Sequence, residues 1–374
     1  MGELIRVLQV FATLDRGGAE AMIMNLYRSM DRDKIQFDFV VKENTREYEH
    51  EAEIRSLGGR IYRLPAYRII NYFKYQQAWK KLLTEHPEWK IIHGHHITPA
   101  AVYMKVAKRH NRITIAHSHS TKGVSALKNM IKFLLRLSMM KQIDYPVACS
   151  KRASDWMFGN RFHNVKLIKN AINVKKFQYD ACVRQRMRDQ FGLKDKFVIG
   201  HIGNFTKAKN YPFLLKVFHR VMLMNGKAVL VLVGKKENNP EIEELVRYMG
   251  MESSVLFTGV REDVPELLQM MDLFLFPSLY EGLPVTLIEA QASGLRCIAS
   301  DTITDEVKIT DLLEFRSLKS SAQSWADSVV QMLVTKRDRK SDQEEIRKAG
   351  YDVAFSSKEL GSFYQNILTN HVER

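Results

Sequence analysis

Residues 277–294 read Pro277-Ser278-Leu279-Tyr280-Glu281-Gly282-Leu283-Pro284-Val285-Thr286-Leu287-Ile288-Glu289-Ala290-Gln291-Ala292-Ser293-Gly294. An apolar run, Leu273 to Phe276, precedes them and has the length of a buried strand. Pro277, Ser278, Gly282 and Pro284 break regular structure. Val285 to Ala292 then reads as a helix, stopped by Gly294. Strand, tight loop and helix in this order predict an α/β chain, in which ligands meet the carboxyl ends of the strands. The helix start offers free N–H groups and a positive dipole end, which suit a phosphate. Glu281 on the loop and Glu289 on the helix offer acceptors to hydroxyls. Together they outline a nucleotide-sugar site. The plainer alternative is a surface glutamate and a second one favoured by the helix dipole.

Working outward, the same alternation runs through the chain twice. In the first half, Leu4–Phe11, 35–41, 60–64, 91–96, 113–120, 145–150 and 165–168 read as strands with helices between them. A second series begins at Phe197 and includes strands at 197–203, 228–233, 255–258 and 296–300. Strands alternating with helices imply parallel sheets. The polar segment 178–196 reads as the linker. The expected domains are therefore 1–178, joined by a C-terminal helix at 356–374, and 179–355.

Composition bounds the function. The chain has 374 residues, 45% hydrophobic and 26% charged, which suits a globular protein of two domains. No apolar run is long enough to span a bilayer, and the N-terminus reads as a strand rather than a signal peptide. Cys149, Cys182 and Cys297 have neither metal spacing nor an even count, which fits a reducing cytoplasm. The net charge of +15 calls for an anionic partner. No nucleic-acid motif appears.

The charge concentrates between Lys105 and Arg152, where Asp144 is the one acidic residue. From Ala126 to Gln142 the pattern is helical, with Lys128, Lys132 and Arg136 as a basic stripe beside an apolar remainder. Such a helix reads either as an interfacial contact with anionic lipid or as a core helix with one solvated face. Histidines gather at two strand ends: His93, His95 and His96, then His117 and His119. No carboxylate completes a metal set near the first group, and neighbouring strand residues point to opposite faces, so a metal is disfavoured. His117 and His119 are two apart and suit one cleft, where a neutral imidazole meets phosphate or sugar hydroxyls.

Glu281-Gly282-Leu283-Pro284 followed by Glu289-Ala290 resembles the E-x7-E signature of retaining glycosyltransferase family 4. The resemblance extends in order from Met1 to about Ile367, and it is strongest to bacterial exopolysaccharide and capsule enzymes. It implies a GT-B fold: two Rossmann-like domains facing a central cleft, with the C-terminal helix crossing back to the first. It assigns His117, Lys209 and Glu281 to the catalytic machinery, with His119 on the acceptor side. It assigns Gly17, Gly18, Asn204, Val260, Arg261, Gly282, Leu283, Pro284, Val285 and Glu289 to the donor, Glu289 taking the ribose hydroxyls. Gly17-Gly18 fits the glycine loop near the donor phosphates, and Gly259 to Arg261 the backbone beside the base.

Three positions depart from the pattern. Asn204 stands where the family has arginine, and Ala171 and Asn173 replace Gly and Asp in the junction Asn170–Phe177. Losing a guanidinium beside a leaving diphosphate removes a fixed bidentate donor. The resemblance implies transfer from a nucleotide-sugar, with uridine as the commonest base, to a saccharide or polyprenyl-linked acceptor. It implies no cofactor and no metal, and a cytoplasmic place against the inner face of the cell membrane. The rivals are a weak or inactive GT-B protein that binds lipid or a partner, and a sugar-nucleotide epimerase on the same fold.

Overall fold

Long buried apolar strands separated by amphipathic helices leave the backbone two parallel sheets to form. The computed structural model describes residues 4–15, 17–96, 99–119, 129–235, 240–335 and 338–372, apart from the side chains of 129–134 and 372. It divides into two compact units, Met1–Ala171 with Val353–Arg374, and Ile172–Asp352.

Among the described residues, the first unit holds strands β1 (Ile5–Val10), β2 (Ile35–Lys42), β3 (Ile61–Leu64), β4 (Trp89–Gly94), β5 (Ile113–Ser118), β6 (Tyr145–Ala148) and β7 (Lys166–Leu167). Helices α1 (Gly18–Ser29), α2 (Glu51–Ser56), α3 (Tyr72–Glu85), α4 (Ala100–Arg109), α5 (Asn129–Met140) and α6 (Lys151–Phe158) lie between them. The strands pair in parallel in the order β3-β2-β1-β4-β5-β6-β7. The direction of winding therefore reverses between β1 and β4. The central strands β4 and β5 are buried almost throughout, as a parallel sheet covered on both faces requires.

The second unit repeats the plan. Its strands are β8 (Phe197–Ile202), β9 (Ala228–Val233), β10 (Val255–Gly259), β11 (Leu273–Phe276), β12 (Arg296–Ser300) and β13 (Leu313–Arg316), ordered β10-β9-β8-β11-β12-β13. Its helices are α7 (Ala181–Gln190), α8 (Tyr211–Met224), α9 (Glu241–Tyr248), α10 (Val264–Met270), α11 (Val285–Ala292), α12 (Ala322–Val334) and α13 (Gln343–Lys348). Here the winding reverses between β8 and β11. Strand β11 and helix α11 have the bounds that the sequence gives them. The units part at 171/172 and 352/353, rather than at the expected 178/179 and 355/356. The junction pairs Ile172 with Asp352 inside the second unit, so those residues belong to it.

The last helix, α14 (Val353–Val372), is part of the first unit. Leu360, Tyr364 and Ile367 recur at spacings of four and three and are buried in its core. The Tyr364 ring meets Phe37 edge-on at 6.1 Å, and Glu359 pairs with Lys166 at 2.7 Å. Burying each large apolar side chain contributes roughly 1.5–3 kcal/mol.

Arg136, expected on a solvated lipid-facing stripe, lies over the Trp156 ring with its guanidinium carbon 5.7 Å from the centroid. The residue is half-buried, and burial lowers its pKa. Lys128 lies outside the described residues, as does the side chain of Lys132.

Asp38, in the middle of β2, is fully buried. Its carboxylate accepts from Arg6 Nε at 2.7 Å and Nη2 at 2.5 Å, from the Arg60 amide at 2.8 Å, and from Trp89 Nε1 at 2.7 Å. It thus ties β1, β4 and the start of β3 to one point. Replacing it strands a cation and an indole N–H. Asp38→Ala is expected to lower unfolding stability by about 3–5 kcal/mol. Urea titration followed by tryptophan fluorescence reads this, and a loss below about 1 kcal/mol would contradict the account.

Candidate functional site

The reversal between β8 and β11 leaves a crevice at their carboxyl ends, where open α/β sheets bind ligands. The loop after β8 (203–210) and the loop after β11 (277–284) flank it. They are joined by the Leu279 amide donating to Ala208 O at 2.8 Å, and by Asn210 Nδ2 donating to Pro277 O at 3.1 Å. Asn210 reaches its turn at φ 57°, a left-handed conformation that asparagine tolerates. Lys209 Nζ, from the first loop, meets Glu281 Oε1, from the second, at 2.9 Å. The ammonium also lies 4.5 Å from the centroid of the Phe276 ring. Both charged side chains are 16% exposed, so the pair faces outward from a largely desolvated seat.

Two glycines make room for that seat. A Cβ on Gly203 would stand 2.6 Å from Lys209 Cε. Gly234, at φ +148°, brings its Cα so close to Gly203 that a Cβ there would lie 2.1 Å from Gly203 O. Asn204, next along, uses its Oδ1 to accept the Lys235 amide at 3.2 Å. The residue in the arginine position therefore holds the loop. Helix α11 starts at Val285 with Pro284 before it and no side-chain cap; the Leu287 amide donates to Pro284 O at 3.0 Å, and the amides of Val285 and Thr286 stand at the helix start. Glu289 sits one turn on, and burial raises its pKa to about 7. Its carboxyl makes no hydrogen bond or ion pair with a described residue. Gly282 and Leu283 complete the loop. Val260 is exposed at the end of β10, while Arg261 is forked onto Asp263 at 2.8 and 2.6 Å. A larger cavity of about 730 Å³ lies at the amino ends of β8, β11 and β12, beside Phe197, Asp272 and Arg296. It is at the wrong end of the sheet for these loops.

In the first unit, the reversal between β1 and β4 gathers the histidines. His93 is the next-to-last residue of β4, His95 follows the strand, and His117 is the next-to-last residue of β5 with His119 just beyond it. His95 Nδ1 lies 2.7 Å from His119 Nε2, and His95 Nε2 lies 2.8 Å from Gln9 Oε1. His93 Nδ1 meets the Tyr364 hydroxyl at 2.6 Å. The His117 and His119 rings are 4.0 Å apart between centroids. Burial pushes His93 and His119 down to about 3, and His95 and His117 well below the usual range, with neighbouring imidazoles adding to the effect for His93, His95 and His117. The four rings are therefore neutral near pH 7.

Gly17 caps α1, and a Cβ there would meet Glu20 Oε2 at 2.2 Å, whereas Gly18 has open space around it. A cavity of about 280 Å³ lies among Phe11, Lys42, Tyr67, Tyr75 and His96 at the ends of β1 and β2. Tyr67 and Tyr75 are not legible in the sequence as cavity residues, because one lies in an irregular loop and the other on a helix face.

Comparison with known proteins follows the same division. Residues 196–334 match the family model described as glycosyl transferases group 1, and residues 16–176 match that of glycosyltransferase family 4. A Bacillus subtilis protein named as glycosyltransferase EpsF is 33% identical over 374 residues, covering 97% of each chain. The capsular polysaccharide biosynthesis glycosyltransferase CapH of Staphylococcus aureus is 22% identical, over 97% of this chain and 99% of its own. An Escherichia coli UDP-Gal:α-D-GlcNAc-diphosphoundecaprenol α-1,3-galactosyltransferase is 30% identical over 142 residues, 37% of this chain and 36% of that one. Among solved structures, Anabaena HepE in complex with UDP and glucose superposes with a TM-score of 0.79 at 15% identity, over 97% of this chain and 100% of the other. That likeness carries the fold.

The histidine cluster makes stability depend on pH. His93 and His117 are buried and titrate in the folded chain well below the unfolded value of 6.5. As pH falls below 6.5, the unfolded state takes up protons that the folded state refuses, so stability is lost toward pH 3. The melting temperature is expected to fall between pH ~7.5 and pH ~5, and the drop should shrink in His117→Gln. Scanning calorimetry at the two pH values checks both.

Proposed function

The chain belongs to glycosyltransferase family 4 and has the GT-B fold of two Rossmann-like domains. On that premise we propose that it moves a sugar from a UDP-sugar to a polyprenyl-diphosphate-linked saccharide, with retention at the anomeric carbon, in exopolysaccharide or capsule assembly. The observation that carries this reading is the Lys209–Glu281 pair beside the uncapped start of α11. The Escherichia coli relative's name supports the donor base and the lipid-linked acceptor.

In this reading the donor diphosphate lies at the α11 N-terminus, on the amides near Gly282 to Val285. Lys209 exchanges Glu281 for the diphosphate and meets the charge that grows there as the glycosidic bond breaks. That exchange supplies the cation that Asn204 lacks, and no metal is needed at the diphosphate. Glu281, released, accepts a sugar hydroxyl. A carboxylate occupied by a sugar hydroxyl is not aimed at the anomeric carbon, which favours a front-face route. There the acceptor hydroxyl enters on the side from which the phosphate leaves, and the phosphate oxygen takes its proton. Glu289 accepts the ribose hydroxyls as a carboxylate. The acceptor binds the first unit, where the cavity beside Tyr67, Tyr75 and His96 takes its sugar and His117 and His119 are at hand. Lipid contact, on this view, places the chain at the inner face of the membrane.

Isothermal titration of the full chain with UDP, GDP and ADP tests the reading. UDP should bind best, and Glu289→Gln should weaken it by roughly 10- to 100-fold, the worth of a hydrogen bond to a charged group. Because the free Glu289 carboxyl titrates near 7, UDP affinity should fall from pH ~8 to pH ~6, and this slope should be smaller in Glu289→Gln. Equal binding of the three nucleotides, or none, would overturn the donor assignment. Anomeric configuration of the product, read by NMR, tests retention.

A further inference from the structure

We propose that His93, His95 and His117 form a binding site for a borderline divalent transition-metal ion, Zn(II) being the natural probe. One ring nitrogen from each lies within 4.8 Å of those of the other two. The sequence argued against a metal because neighbouring strand residues alternate faces and no carboxylate is near. The fold answers both points. His93 and His95 are two apart at the end of β4 and their rings stack at 4.5 Å, while β5 alongside supplies His117. A set of three imidazoles needs no carboxylate, and zinc accepts it with one position left for an oxygen ligand.

The hydrogen bonds around the cluster are those of a ligand set. His93 Nε2 and both ring nitrogens of His117 are buried and have no hydrogen-bond partner among the described residues. Buried polar atoms are nearly always paired, so His93 Nε2 and one nitrogen of His117 ask for a shared partner; the two nitrogens of one imidazole diverge, so the other His117 nitrogen faces away from it. On the outer side the rings are held. His93 Nδ1 meets the Tyr364 hydroxyl at 2.6 Å, and Gln9 donates to that hydroxyl at 3.2 Å while its Oε1 lies 2.8 Å from His95 Nε2. Metal-bound imidazoles take such bonds at the nitrogen away from the ion. Because Gln9 Oε1 only accepts, His95 carries its proton on Nε2 and keeps the lone pair on Nδ1. His119 Nε2 occupies that lone pair at 2.7 Å and is the group an ion would displace. Imidazole ligands select zinc, copper and nickel over magnesium and calcium.

This site lies wholly within the first unit and does not depend on the donor reading. Its test therefore uses the full chain without nucleotide. Chelator-treated protein is titrated calorimetrically with zinc chloride and, separately, with cobalt(II) followed by visible absorption. One equivalent of zinc should bind saturably, and cobalt should give the intense bands of a four-coordinate site. His117→Ala should abolish binding, and Gln9→Ala should weaken it about 10- to 100-fold while leaving the ligands in place. His163→Ala, at an exposed histidine, should change nothing. Magnesium should not compete. Circular dichroism melts confirm that each variant is folded. If His117→Ala does not fold, Gln9→Ala and the cobalt spectrum decide. No saturable binding, octahedral cobalt, or affinity unchanged in His117→Ala or in Gln9→Ala would overturn the site.

Discussion

A parallel sheet covered on both faces has no free side for chemistry. Strands β4, β5, β9 and β11 are buried along almost their whole length, and their backbone groups are spent on neighbouring strands. Polar side chains that need room must therefore stand where strands stop. Each sheet also changes its direction of winding once, between β1 and β4 and between β8 and β11. Loops diverge at those points and leave space. Lys209, Glu281 and the start of α11 occupy the second of these places. The histidine cluster occupies the first.

The second place is built by backbone as much as by side chains. Gly234 approaches Gly203 so closely that a Cβ on Gly234 would strike the Gly203 carbonyl, and a Cβ on Gly203 would intrude on the stem of Lys209. The Phe276 ring closes one side of the ammonium and Glu281 another. A charge in such a seat is partly stripped of water, so it interacts more strongly with an anion than a surface lysine does. It also loses little freedom when the anion arrives, because its stem is already ordered.

Much of this was legible in the sequence, and the reasons differ by residue. Leu273–Phe276 and Val285–Ala292 were read to the residue because apolar runs and Pro and Gly punctuation agree there. The two-sheet plan followed from the alternation of strands and helices. The elements between 313 and 348, β13, α12 and α13, do not figure in the sequence reading. The Lys209–Glu281 pair joins residues 72 positions apart, and no local pattern announces it. Asn204 was read as a vacancy for arginine; its bond to the Lys235 amide shows a loop-holding part that spacing cannot show. Asp38 hid inside an apolar strand, because its partners come from three other segments. Arg136 of the basic stripe also lies over an aromatic ring from the next helix, a contact that spacing cannot show.

The first unit is closed by α14, whose Tyr364 reaches Gln9 across 355 residues of chain. A ribosome therefore makes the whole of Ile172–Asp352 before the piece that completes the unit it started with. The second unit can fold as soon as it emerges, while the first waits with the groove for Leu360, Tyr364 and Ile367 open to water. Domains usually mature from the N-terminus onward during synthesis. Here the order of completion is inverted, and the growing chain carries an exposed apolar groove for about half of its translation, while Ile172–Asp352 and the last helix are made.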